Sequence, residues 1–337
     1  MPTLSDPILL MGGSGAIGRL TAKTLRAAHP AAPLLIGGRD IDKACEVAAE
    51  IGGAEGVVIN PAAEDLGLGD RKVAAVAVFY SDHHLAGLRF AHERGVPHLG
   101  ISSGIFEIAP EIATFMHKPD AAAIVLGYEW LVGATTVATL TCAASFAHVD
   151  KIRIGALVDE EDTGGPAVAA DFERLASLMP GALTRRNGAY VWRTGAEMKS
   201  QFMAIDGTRI EASGFSSIDV AGLATETGAR DVQFDLATGV SSSRRRGEPK
   251  STEIIIELAG TGRDGQPRRT RHAVFHPGGA APLTVLGVTM ILERLTGLDG
   301  RAPAPAGLYF PYQLLDRPAY LARLEQEGGG ILNLQLS

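Results

Sequence analysis

The chain has 337 residues, 46% hydrophobic and 20% charged, which is too apolar for a disordered chain and long enough for about two domains. Its formal net charge of −7 lacks the basic balance of a nucleic-acid binder, and only two cysteines, Cys45 and Cys142, exclude a disulfide framework. A reducing, cytoplasmic setting fits this cysteine usage, and the N-terminus has no charged n-region of a secretory leader.

In chain order, Ile8–Met11 reads as a short buried strand and Arg19–Ala28 as a helix. Between them runs Gly12-Gly13-Ser14-Gly15-Ala16-Ile17-Gly18, which contains the spacing G-x-G-x-x-G. A glycine motif between strand and helix has a physical task at each position. Gly13 permits the tight turn, Gly15 lets a pyrophosphate approach the backbone, and Gly18 lets helix pack on strand. The helix N-terminus adds free amides and the positive end of its dipole.

The alternation continues through Pro33–Gly37, Ile41–Ile51 capped by Asp40, and Val57–Ile59. It goes on through Val73–Phe79, the helix His84–Arg94, Pro97–Ile101 and Ala121–Leu126. Repeated strand–helix units predict an α/β fold, a Rossmann-type doubly wound parallel sheet. Trp130–Ala147 carries no charge but is rich in Thr, Ser, Ala and Gly, so it reads as a helix buried in a globular protein and not as a membrane span.

Beyond it the period changes. Lys151–Val158, Ala189–Thr194, Gln201–Asp206, Thr208–Ala212, Val232–Thr238, Thr252–Leu258 and Arg269–Phe275 read as strands, with a helix near Val168–Leu178. They predict a second α+β domain of mixed, largely antiparallel sheet. Arg244-Arg245-Arg246 reads as a solvated loop, with a phosphate contact as the alternative. From Ala280 a helical period returns, and a last helix is expected over Ala319–Glu327. The expected domains are 1–132, which binds the dinucleotide, 133–279, for substrate and dimerisation, and 280–337, helices that pack back on the first domain. The extended second sheet suits a homodimer.

In an NAD site an acidic residue about twenty positions past the last glycine holds the ribose. Here that place reads Gly37-Gly38-Arg39-Asp40. Gly38 leaves room, and Arg39 brings a planar permanent cation that suits a 2′-phosphate. NADP(H) is therefore expected in preference to NAD(H). The alternative makes Arg39 a surface residue and gives the ribose to Asp40.

"LLMGGSGAIGR", "LLIGGRD", "VAAVAVFYSDHHLAGLRFAHERGVPHLGIS", "AAIVLGYEWLVGATTVATL" and "GLYFPYQLLDRPAYLARLEQEG" together resemble the saccharopine dehydrogenase-like oxidoreductases along nearly the whole chain. The resemblance implies NADP-dependent redox chemistry. The chain departs from the family's usual substrate residues. A tyrosine after strand five and an Asp-Pro-Gly turn after strand six are replaced by Ser102-Ser103-Gly104 and by Glu129 to Gly133.

Ligands of open α/β sheets bind at the C-terminal ends of the strands. That rule adds Phe79, Tyr80, Ser81 and Ser102 to the cofactor residues Gly12–Gly18, Gly38, Arg39 and Asp40. It selects Glu129, Tyr128 and His83 as candidate proton carriers. Glu129 is the single charge in a long apolar stretch, and a buried carboxylate suits acid–base work. A pairing of Glu129 with an Arg or Lys of the second domain is the alternative. Trp130, Arg193 and Lys199 are expected at the substrate. No Tyr-x-x-x-Lys pair occurs. His272 and His276 fall on a strand, about 13 Å apart along it, too far for one metal, so none is expected. The expected enzyme transfers hydride to or from a small carbonyl, imine or amine held between the two domains. A reductase of activated C=C bonds and a non-catalytic NADP(H) sensor are the alternatives.

Overall fold

The structure, a computed structural model, describes residues 4–102, 104–162, 173–174 and 181–336. The helix expected near Val168–Leu178 and the residue Ser103 lie outside the described residues. The chain divides into two compact units, Met1–Tyr128 with Thr284–Leu315, and Glu129–Leu283 with Asp316–Ser337.

The first unit opens with β1 (Ile8–Met11), α1 (Ala16–Ala28), β2 (Leu34–Gly38), α2 (Ile41–Ile51) and β3 (Ala54–Val58). It continues with β4 (Ala75–Val78), α3 (Ala86–Glu93), β5 (His98–Gly100), α4 (Ile108–His117) and β6 (Ala123–Leu126). The strands pair in the order β6-β5-β4-β1-β2-β3, all parallel, so the order reverses between β1 and β4. That is the doubly wound Rossmann-type sheet the alternation predicts. Every residue of β1, β4, β5 and β6 is buried, as strands covered on both faces must be. In α1 the buried residues Gly18, Thr21, Ala22 and Leu25 recur at i, i+3, i+4 and i+7, one helical stripe.

A seventh strand, β15 (Gly307–Tyr309), adds parallel to β6 from far along the chain. It is three residues long and sits between prolines, too short for a periodic signal. The α4 helix also escapes sequence reading. Pro110 stands in its first turn, and its N-cap, Glu107, makes no side-chain cap bond.

In the second unit α5 (Ala134–Ala143) is followed by β7 (Phe146–Asp159), β8 (Gly181–Arg186), β9 (Ala189–Thr194), β10 (Lys199–Met203) and β11 (Arg209–Gly214). Then come α6 (Asp219–Thr227), β12 (Asp231–Gly239), α7 (Ser242–Arg245), β13 (Thr252–Gly262) and β14 (Pro267–His276). The chain ends with α8 (Ala280–Thr296), β15, α9 (Pro311–Leu314), α10 (Arg317–Gln326) and β16 (Gly330–Leu334). The sheet order is β10-β11-β12-β7-β13-β14-β16, with β8 on β12 and β9 on β8. Only the β12–β7 pair is parallel among these, so the sheet is mixed and largely antiparallel. Asp206-Gly207 turns the β10–β11 hairpin, with Gly207 at φ +82.

Two expectations change. The arginine run is not a solvated loop. Arg244 pairs with Asp159, Glu160 and Glu161, Arg245 with Asp206, and Arg246 with Glu248. The uncharged segment after Trp130 is indeed helical, but α5 has only ten residues. Among the described residues no helix is long and apolar enough to cross a membrane.

Candidate functional site

The glycine turn lies at the C-terminal end of β1, beside the point where the strand order reverses. Gly12 adopts φ +81, and its amide donates to Gly37 O at 2.8 Å. A Cβ on Gly18 would stand 2.6 Å from Gly12 O and 2.7 Å from Gly13 Cα, so helix and turn meet backbone to backbone. Gly15 differs. Only Gly12 O, at 3.2 Å, lies within 4 Å of its missing Cβ, which leaves the backbone open on its other sides. Gly15 is also the N-cap of α1 and brings no side chain to the cap, and the first turn holds no acid. The amides of Ala16, Ile17 and Gly18 have no carbonyl within the helix to receive them. This is a cradle with room and donors for an anion.

At the end of β2 the same space continues. A Cβ on Gly38 would meet Ser14 Oγ at 3.5 Å and Asp40 O at 3.7 Å, ordinary contacts, and no positive φ requires glycine there. The fold tolerates a side chain at Gly38, and its lack leaves a gap beside Ser14. Asp40 is engaged as the α2 cap, its Oδ1 accepting from Lys43 N at 3.2 Å. Arg39 is exposed, and among the described residues no carboxylate pairs with it. The residues present therefore leave room for a dinucleotide along this edge.

The ends of β4, β5 and β6 complete the rim. The Tyr80 ring lies against Gly12, whose Cβ would stand 3.0 Å from Tyr80 Cδ1. Burial and the nearby Asp82 push the Tyr80 phenol up to about 12, while Arg39 pulls it down. Phe79 is half-buried beside it. Ser81 Oγ donates to Ser102 O at 3.3 Å and ties two of these loops together. Asp82 caps α3, its Oδ2 accepting from Gly87 N at 2.8 Å. His83 lies exposed in the turn before α3, outside the helix.

Tyr128 follows β6, and its hydroxyl donates to Glu111 Oε1 at 2.6 Å. Glu111 is 4% exposed and is the one buried residue of α4. Nothing in the sequence singles it out. One acid among Ile, Pro, Ala and Thr on a helix reads as a solvated face, and its partner lies 17 residues on. Tyr128 Oη stands 2.7 Å from where a Gly100 Cβ would be, and His98 Cε1 3.4 Å from that point. His98 is buried, with no partner for Nδ1 among the described residues, and burial, with His92 nearby, pushes its imidazole down to about 3. A small cavity is lined by Tyr80, Asp82, His98, Ser102, Glu111 and Tyr128.

Glu129, Trp130, Arg193 and Lys199 belong to the second unit, whose boundary falls just after Tyr128. Glu129 is 3% exposed, and its Oε2 accepts from Thr136 Oγ1 at 2.8 Å. Trp130 packs its ring with Phe215 and Phe234 at centroid distances of 5.5 and 5.8 Å, a core aromatic trio. Its amide donates to Asp219 Oδ2 at 2.7 Å, and Ser217 Oγ donates to the same oxygen. Burial pushes Asp219 up to about 6. Leu131, Val132 and Gly133 follow with φ of +53, +54 and +94, a left-handed run that a β-branched Val adopts only when its surroundings impose it.

Arg193 does not present a free guanidinium. It donates to Thr184 Oγ1 at 2.9 Å, Phe234 O at 3.0 Å and Asp235 Oδ1 at 2.8 Å, all buried, so the carboxylate it binds is the protein's own. Lys199 is exposed at the start of β10. His272 bonds Asn333 Oδ1 at 2.8 Å, and among the described residues no group of three His, Cys, Asp or Glu could hold a metal.

No family model matches the chain, and no curated protein matches it in sequence. Among solved structures it is similar to apo histidine-tagged saccharopine dehydrogenase (L-Glu forming) from Saccharomyces cerevisiae. That match has a TM-score of 0.61 at 12% identity and covers 98% of this chain and 99% of the other. It is also similar to an amine dehydrogenase from Mycobacterium smegmatis, with a TM-score of 0.50 at 13% identity, covering 93% of this chain and 97% of the other. At such identities the likeness is one of fold. The chain has the saccharopine dehydrogenase-like fold that its motifs led us to expect.

Proposed function

We propose that the chain is an NADP(H)-dependent oxidoreductase that transfers a hydride to or from a small carbonyl, imine or amine compound. The observation that carries the reading is the glycine turn at the strand-order reversal, open at Gly15 and continuous with the gap at Gly38. The two structural relatives named above are both dehydrogenases, which supports the reaction class.

In this reading the turn from Gly12 to Gly18 takes the pyrophosphate on the free amides of Ala16, Ile17 and Gly18 beside Ser14, and Arg39 takes the 2′-phosphate while Asp40 stays on its helix cap. Phe79, Tyr80, Ser81 and Ser102 border the cofactor. Bound nicotinamide supplies or accepts the hydride. Tyr128 moves the proton. In the oxidising direction its oxygen takes the substrate proton as its own passes along the 2.6 Å bond to Glu111. Reduction runs the same path backwards. Glu129 and His83 are the competing proton carriers, and Trp130 and Lys199 the residues proposed toward substrate.

The test is a fluorescence titration with NADPH and with NADH, then an oxidation screen against carbonyl, imine and enoyl compounds. Equal affinity for the two nucleotides sinks the Arg39 argument. Tight NADPH binding with no turnover at any pH replaces the enzyme by a nucleotide sensor.

A further inference from the structure

The second unit holds a cleft that the proposed redox site does not use. The β10–β11 hairpin covers one end of a face of the sheet, where Phe202 lies over Gly155 and joins Leu157, Ala237, Ile255 and Ala273 in a core. Toward the other end the same face opens into a cleft of about 410 Å³, within the size range of small-molecule sites. Its charged lining is Lys151, Arg153, Arg209, Arg269 and Arg271, with Glu257 the single carboxylate.

Strand register sets this charge. Lys151, Ala259 and Arg269 lie side by side across β7, β13 and β14, and Arg153, Glu257 and Arg271 form the next row. Two strand spacings separate the outer members of each row, about 10 Å, close enough for cations to repel across a sheet face. Glu257 is shared between Arg271 at 3.7 Å and Arg153 at 3.9 Å. Arg271 is 6% exposed and fastens the hairpin through Met203 O at 2.5 Å and Ala204 O at 2.9 Å. Its Nε makes no hydrogen bond among the described residues. Lys151, Arg209 and Arg269 are exposed, and among the described residues none of the three side chains has a hydrogen bond or ion pair. The contrast with Arg244, Arg245 and Arg246 is direct. There the same unit gives every arginine a carboxylate.

We propose that this cleft is a second ligand site, one that takes a small phosphorylated compound. Several cations converging on one carboxylate call for an anion of more than one charge. Arginine forks match phosphate oxygens, and Phe202, Ala259 and Leu336 offer apolar surface for the organic part. A cleft of this volume fits a metabolite.

Calorimetric titration of the full chain with inorganic pyrophosphate tests this, with succinate as the dicarboxylate comparison and Lys151→Glu/Arg269→Glu as the charge-reversed variant. Both substituted residues are exposed and unpaired, and an unchanged melting temperature verifies the variant's fold. Saturable pyrophosphate binding, weakened at least about tenfold in the variant, is the expected result. Four results overturn the proposal. They are no saturable binding, equal binding by wild type and variant (which assigns the pyrophosphate to the glycine turn), succinate binding as tightly as pyrophosphate, and a variant that changes only the oligomeric state in sedimentation.

Discussion

Tyr128 Oη and Glu111 Oε1 stand 2.6 Å apart, a phenol donating to a buried carboxylate at the C-terminal edge of the parallel sheet. A bond of this length fixes the hydroxyl's direction and gives its proton somewhere to go. Under the proposed mechanism Tyr128→Phe lowers kcat by roughly 10²- to 10⁴-fold while NADPH affinity stays unchanged. Glu111→Gln keeps the hydrogen bond but removes the proton acceptor, and it should lose the basic form from the pH–rate profile. Steady-state kinetics beside nucleotide titration separate the two effects. An equal fall in binding and turnover would make the pair structural.

Gly38 is the place to test nucleotide choice. A Cβ there meets nothing closer than 3.5 Å, so Gly38→Asp fits without strain and puts a carboxylate where it would accept from a ribose diol. NADH affinity should rise and NADPH affinity fall, shifting their ratio by about tenfold or more, since the new charge repels the 2′-phosphate. Arg39→Ala should weaken NADPH alone. Fluorescence titration of both variants with both nucleotides reads the ratio.

Gly18→Ala is expected to injure the fold and the turn together. Its methyl would sit 2.6 Å from Gly12 O, so α1 must move off β1. Overpacking of this kind costs about 1–3 kcal/mol, read as a lower urea midpoint with an unchanged slope. Gly15→Ala, with one neighbour at 3.2 Å, should cost less stability yet still impair nucleotide binding.

His98 makes the first unit acid-sensitive. Burial holds its imidazole at about 3, below the ordinary 6.5, so the folded state keeps it neutral where the unfolded chain protonates. Its contribution is complete above pH 6.5 and is lost as pH falls from there toward 3, at up to about 1.4 kcal/mol per pH unit. Denaturant titrations at pH 7 and pH 5 should show a smaller loss for His98→Gln than for wild type.

Asp219 acts with the opposite sign. Burial raises its carboxyl from 3.8 to about 6, so the folded state holds a proton that the unfolded chain gives up. Stability from this group is present below pH 3.8 and is lost as pH rises through 6. Asp219→Asn can still accept from the Trp130 amide, so it should flatten that slope and keep the tryptophan emission of the native trio. A red-shifted emission would instead show that the charge itself orders the loop.

The turn from Gly12 to Gly18 could be read from sequence because all its causes are local, a strand, a tight bend and a helix within a dozen residues. Asp40 as a cap and Asp206-Gly207 as a hairpin turn are legible for the same reason. Glu111 is not, because its meaning comes from Tyr128 across a fold that only β5 and β6 bring together. Arg193 misleads for a related reason. An arginine beside exposed aromatics looks like a ligand anchor until Asp235, 42 residues on, takes it up. The cleft on the second sheet is invisible in sequence, since strand register alone joins Lys151 to Arg269 and the β10–β11 hairpin alone brings Arg209 to them.

The β15 strand has a consequence for how the protein is made. The ribosome releases β1 through β6 first, yet the sheet's last member, Gly307–Tyr309, emerges only after the whole of β7 through β14 has been translated. Until then β6 is an open parallel edge, a row of amides and carbonyls that invites another chain. The unit with the parallel sheet is therefore the first to begin and among the last to close, and an expression fragment that stops at Tyr128 would keep that edge for good.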